Sequence, residues 1–192
     1  MTQLVYGVGI NDANYQVAHV VDGKQVLCPI YTKWRGMIDR VYNSKEKRPT
    51  YIDCSVSKVW HKFMNFREWY NDQPQSDHLD KDLKFPYNKV YSPETCNMIP
   101  VQVNKFISIK HGNNGLAAGV SIKLGTQRYV AQISNPFTNK QQHIGYFDDE
   151  KEAELAYLTR KHQYALEMAE TITNPIVSDL LRSHFIKRME LI

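Results

Sequence analysis

The run "KHGNNG" at residues 110–115 constrains this chain more than any other feature. Two glycines and two asparagines in six positions favour turns and left-handed backbone, and they offer almost nothing to bury. No helix or strand is expected to run through it, so the 192-residue chain divides there. The stretch before it is rich in aromatic residues at helical spacing. The stretch after it alternates like a sheet.

In the first part, "VAHVVDGKQVLC" reads as two short strands about Asp22-Gly23. "YTKWRGMIDRVYN" places Trp34, Met37, Ile38 and Val41 on one helical face. The charged, proline-containing "KEKRPT" interrupts the pattern. Ser55 then stands as the cap of a second helix in which Val56, Val59, Trp60, Phe63, Phe66 and Trp69 follow the helical period. These rings are expected to form a core; stacking on nucleobases is the alternative use of such residues.

In the second part, Leu116–Lys123, Gln127–Ser134 and His143–Phe147 read as a three-stranded antiparallel meander. Asp149 followed by Glu152 has the spacing of a capping box and predicts a long helix, with Ala153, Ala156, Tyr157 and Tyr164 turned to the sheet. Asn174-Pro175 opens a last amphipathic helix carrying Ile176, Leu180 and Leu181. The expected organisation is α+β, with domains at 1–108 and 109–170 and a C-terminal helix at 171–192.

Composition excludes several classes. With 12 Tyr, 7 Phe, 3 Trp and 42% hydrophobic residues, the chain has the material for folded cores. No apolar run approaches the roughly 18–20 residues that a membrane span needs, and the N-terminus lacks a signal-peptide pattern. Three widely spaced cysteines without a C-x-x-C pair argue against a disulfide framework or structural zinc, which fits a reducing cytoplasm. The net charge of +4 is compatible with nucleic acid without requiring it.

The chemistry concentrates in "DHLDKDLKFPYNKVYSPETC", residues 77–96. If residues 78–83 are extended, His78, Asp80 and Asp82 project from one face, while Leu79 and Leu83 project from the other. Two carboxylates beside an imidazole need neutralisation by protons or a cation. A hard divalent ion accepts one or two carboxylates and keeps several waters, an arrangement suited to phosphodiester cleavage. A turn at Asn88, a return strand at Val90-Tyr91 and a helix capped by Ser92 are expected to complete a hairpin frame. A solvated acidic hairpin is the plain alternative.

The same stretch resembles the HNH endonucleases of phages. The likeness lies in "LDKD" (79–82), "NK" (88–89), "YSPETC" (91–96) and Pro100. Upstream it continues through "GVGINDANY" (7–15), "CPIYTKWRGMIDRVYN" (28–43) and "PTYIDCSV" (49–56) with Trp60. The resemblance implies a ββα-metal nuclease of homing type that cuts double-stranded DNA, often as a nick, with Mg²⁺ or Mn²⁺, in the cytoplasm of an infected bacterial host. It implies Asp80 as metal-binding carboxylate, Asp82 as second ligand or base, and Asn88 as a further catalytic residue. Lys81 stands where better-known members carry the general-base histidine, and Thr95 where relatives carry asparagine. The base is therefore open among His78, Lys81 and Asp82. These departures also carry a second reading: a DNA-binding regulator that keeps the nuclease frame without its activity.

Beyond the loop the chain resembles the plant ethylene-response-factor type of DNA-binding domain. The matching pieces are Gly119-Val120, "RYVAQI" (128–133), "HIGYF" (143–147), Glu150, Glu152-Ala153 and Ala156-Tyr157. That resemblance implies a sheet lying in the major groove, with Lys123, Arg128 and Gln132 facing bases, and Lys110, Lys140 and His143 meeting phosphates. A monomer is compatible with this arrangement, and the sequence leaves the oligomeric state open.

Overall fold

The structure, a computed structural model, describes residues 4–74, 78–109 and 115–192. It is mixed α+β and contains a three-stranded antiparallel sheet. The chain forms two compact units: residues 1–82 with 87–98, and residues 83–86 with 99–192. The break in packing thus falls before the change in composition at residue 110.

The first unit is built around rings. β1 (Ala18–Val21) and β2 (Lys24–Leu27) form an antiparallel hairpin. Its two loop residues, Asp22 and Gly23, both have positive φ, as a right-twisted two-residue turn requires. α1 (Pro29–Ile38) begins with proline and buries Tyr31, Trp34, Met37 and Ile38, and a π-helical stretch over Asp39–Asn43 adds Val41. The helix expected from Ser55 onward starts later. β3 (Ser55–Val56) pairs in parallel with β5 (Val90–Tyr91), and a 3-10 turn at Lys58–His61 leads into α2 (Phe63–Asn71). The Ser55 and Ser57 amides donate to the Lys89 and Tyr91 carbonyls at 2.8 Å each, which holds Ser55–Val56 extended, and Ser57 rather than Ser55 precedes the 3-10 turn. Trp34, Trp60, Phe63 and Phe66 are fully buried, and the Trp34 indole donates to the Trp60 carbonyl at 2.7 Å. Gly9 is needed beside them: a Cβ there would sit 2.8 Å from the Trp34 ring.

The expected hairpin is corrected. β4 (His78–Asp80) pairs with β6 (Asn97–Ile99), while β5 turns to β3. Adjacent strands pair only when the link between them closes tightly; here residues 83–86 leave to join the second unit. The helix expected after Ser92 is a single turn, with the Thr95 and Cys96 amides donating to the Ser92 carbonyl. Met98 and Ile99 are buried as strand residues. Ile99 precedes Pro100, which disfavours helical backbone there, so α3 (Val101–Ile107) begins only beyond the proline.

In the second unit β7 (Val120–Ile122), β8 (Tyr129–Ser134) and β9 (Gln141–Phe147) lie in that order, antiparallel throughout. α4 (Glu150–Ala169) packs across them, and α5 (Pro175–Met189) packs on α4. The Asp149 cap forms as expected, its carboxylate accepting from the amides of Lys151 and Glu152. Glu150 instead reaches the Ala117 amide at 2.9 Å. Gly119 has φ +76° and lies under the Tyr157 ring, where any Cβ would overlap the ring. On α5 the buried stripe is Val177, Leu181 and Phe185, with Ser178, His184 and Arg188 also covered. Ile176, expected inside, is exposed.

Candidate functional site

Residues 80–90 gather four of the sequence candidates. Asp80 is buried at the end of β4, and its Oδ1 accepts the Asp82 amide at 2.9 Å. The backbone bends there, so strand alternation stops at Asp80. The shared face expected for His78, Asp80 and Asp82 is thereby corrected at Asp82, which lies beyond the strand, half exposed; along β4 itself His78 is exposed and Asp80 buried. Leu79 packs into the first unit's core and Leu83 into the second's.

Lys81 sits at the centre of this bend and is 8% exposed. Its Nζ donates to both Asp82 carboxylate oxygens, at 2.7 and 2.9 Å, and to the Asn88 carbonyl at 2.6 Å. Three acceptors match the three protons of an ammonium, so every N–H of the group is donated within the bend. Asn88 closes the bend: its amide donates to the Lys81 carbonyl at 3.0 Å and the Val90 carbonyl at 2.6 Å. Thr95 fixes the following turn by donating to the Val90 carbonyl at 2.7 Å and accepting the Ser92 amide. Cys96 beside it is pushed up to about 12 by burial and is inert as a thiolate.

The donors suit a hard divalent ion in kind, since both side chains offer carboxylate oxygens, and the Asp82 backbone amide donates to Asp80 Oδ1. A cation there would share Asp82 with the Lys81 ammonium. Among the described residues no group of three or more His, Cys, Asp or Glu is gathered for a metal, so most of the coordination shell of such an ion would be water.

The sheet forms a second candidate surface. Lys123 Nζ lies 4.4 Å and Arg128 Cζ 5.9 Å from the centroid of the Tyr146 ring, and the His143 ring lies 4.7 Å from it. The register jumps between Ala131 and Gln132, whose partners are Gly145 and His143, so Ile144 is an extra residue in β9. That bulge lets His143 and Tyr146, three apart, meet. Arg128 is also held by Asp148, at 2.9 Å. Gln132 is not part of this cluster; its Oε1 accepts from Gln141 at 2.5 Å. Lys140 is exposed in the β8–β9 turn, and Lys110 lies outside the described residues.

Sequence reasoning overlooked Tyr146, the ring on which three of its candidates converge, because period-two alternation separates it from His143. It also overlooked Lys161 and His184, buried ionisable groups on α4 and α5. An apolar helical stripe interrupted by Lys161 was the available signal. No helix among the described residues is long and apolar enough to cross a membrane. No protein-family model, curated protein or solved structure matches the chain.

Proposed function

We propose that this chain is an HNH-type DNA endonuclease in which the three-stranded sheet grips duplex DNA and the Asp80 bend serves phosphodiester hydrolysis. The observation that carries the DNA reading is the Lys123, Arg128 and His143 cluster around an exposed tyrosine. Basic and aromatic groups mixed on one surface suit phosphate contact and base-edge or stacking contact together. The pairing of β4 with β6 supports a strand frame for the Asp80 bend. Asp80 and Asp82 are the residues that would hold Mg²⁺ or Mn²⁺. Such an ion supplies Lewis-acid stabilisation of charge developing on phosphate oxygens. With Lys81 fully donated, His78, exposed at the head of β4, is the candidate base that activates water.

The test is nicking of supercoiled plasmid carrying candidate targets, with Mg²⁺ or Mn²⁺, by the full chain and by Asp80→Ala and His78→Ala. Loss in Asp80→Ala and a lowered rate in His78→Ala are expected; undiminished nicking by Asp80→Ala overturns the metal assignment. The second reading, a regulator that binds DNA without cutting, is favoured by one observation: the Lys81 ammonium takes both Asp82 oxygens. Specific binding with no cleavage on any bound target, in either metal, selects it. Tyr146→Ala separates both from a protein that ignores DNA, since its binding to duplex in a salt series should fall.

A further inference from the structure

We propose that the recess between α3, the β8–β9 turn and α4 binds a small phosphomonoester carrying a planar body, with Lys161 as counter-charge to the phosphate. The recess holds about 560 Å³, within the range of small-molecule sites. Its walls are apolar at Phe106, Tyr157 and Met168, while the Gln102, Gln132 and Gln141 amides line its polar side.

Lys161 lines this space and is only 7% exposed. Its Nζ is 3.4 Å from the Tyr157 hydroxyl and lies 5.2, 5.7 and 5.6 Å from the ring centroids of Phe106, Tyr157 and Phe185. Among the described residues no carboxylate pairs with it. Of the groups around it, Arg188 from α5 and Lys105 lining the recess from α3 add positive charge, while His184 from α5, held near 4 chiefly by burial, and Tyr157 from α4, raised by burial, bring no negative charge. β8 contributes only Gln132, Ile133 and Ser134 there. Burial and Arg188 push the Lys161 ammonium down to about 8. Buried charge without a partner is costly, and proteins keep such groups chiefly where a ligand completes them.

The missing partner is therefore an anion. A phosphomonoester brings close to two charges and three acceptor oxygens, enough for Lys161 and Lys105 together. The volume far exceeds that of inorganic phosphate, and paired amides beside aromatic walls suit the edge and face of a heterocycle. A nucleoside monophosphate has this chemistry, whether free or as the 5′-phosphate end of a DNA strand. The site stands independently of the endonuclease reading, which concerns other residues.

The experiment titrates the full chain with each common nucleoside 5′-monophosphate, with inorganic phosphate and with the unphosphorylated nucleosides, by calorimetry. Lys161→Met, which fills the same apolar volume, runs alongside. Saturable one-to-one binding of a monophosphate is expected, weakened by about 30-fold or more in Lys161→Met, as loss of one partner of a buried charge pair implies. Should Lys161→Met fail to fold, trace acylation of wild-type lysines read by mass spectrometry replaces it, and the bound monophosphate should protect Lys161. Protection by a 5′-phosphorylated oligonucleotide, and not by its 5′-hydroxyl twin, assigns the site to strand ends. Protection by the mononucleotide alone assigns it to free nucleotide. Absence of saturation up to about 10 mM, equal binding by Lys161→Met, or binding that leaves Lys161 unprotected overturns the proposal.

Discussion

Lys81 and Lys161 are buried to the same degree, at 8% and 7% exposure, in surroundings that treat an ammonium in opposite ways. Lys81 spends its three protons on one carboxylate and one carbonyl. Lys161 has a tyrosine hydroxyl, three aromatic faces and a neighbouring guanidinium. Cation–π attraction is worth about 2 kcal/mol for a desolvated lysine, less than the several kcal/mol that burying an ion costs. Burial alone thus says little about a lysine. Its acceptors decide whether it braces the fold or strains it.

The largest effects should come from the strained side. Lys161 has a folded value of about 8 against an ordinary 10.5, so the unfolded chain binds the extra proton between those limits. Stability from this group should therefore rise as pH increases from about 8 to 10.5, by on the order of 3 kcal/mol. Urea denaturation of wild type and Lys161→Met across that window isolates it. The variant should be the more stable at pH 7, and its advantage should shrink as pH rises. A gap that does not move with pH removes Lys161 as an uncompensated charge.

His184, fully buried on α5, extends the same logic to acid. Its Nδ1–H donates to the Leu83 carbonyl at 3.0 Å, and burial is the main force holding the ring near 4 against an ordinary 6.5. The unfolded chain binds the proton first, so stability should fall as pH drops from 6.5 through 4, again by on the order of 3 kcal/mol. The histidine ring signals in NMR check this: the His184 resonance should stay unshifted at pH 5.5. Titration of the His184 ring near 6.5 contradicts it.

On the braced side the expected loss is smaller, because Asp82 is 40% exposed and water can partly replace it. Asp82→Ala leaves the Lys81 ammonium with a single carbonyl and should cost about 2 kcal/mol, below the loss from breaking a fully buried pair. Equal stability of Asp82→Ala and wild type in urea would mean that Lys81 does not depend on its carboxylate.

What the sequence disclosed divides along the same line. Local chemistry was readable: the Asp22-Gly23 turn, the Asp149 cap, the three strands of the second unit and the aromatic core around Trp34 and Trp60. Features set by distant partners were not. Ser55–Val56 forms a strand only because Val90–Tyr91 lies beside it. β4 pairs with β6 because residues 83–86 join another core. At the acidic bend, spacing could not foretell that Lys81 would close on Asp82 and Asn88. A bulge at Ile144, invisible to period-two reading, brought Tyr146 into the basic cluster.

The smallest expected effect separates shape from charge at the bend. Asn88 gives Lys81 an acceptor through its backbone carbonyl, while its side chain ties the Lys81 and Val90 carbonyls together. Asn88→Ala keeps the acceptor and removes the tie, so it should cost about 1 kcal/mol, the worth of ordinary hydrogen bonds. If geometry positions the ammonium, the two losses interact. The double variant Asp82→Ala, Asn88→Ala should then lose less than the two single losses added, by at least about 0.5 kcal/mol. Strict additivity would mean that the ion pair holds itself, and the Asn88 clamp would then belong to the chain path alone.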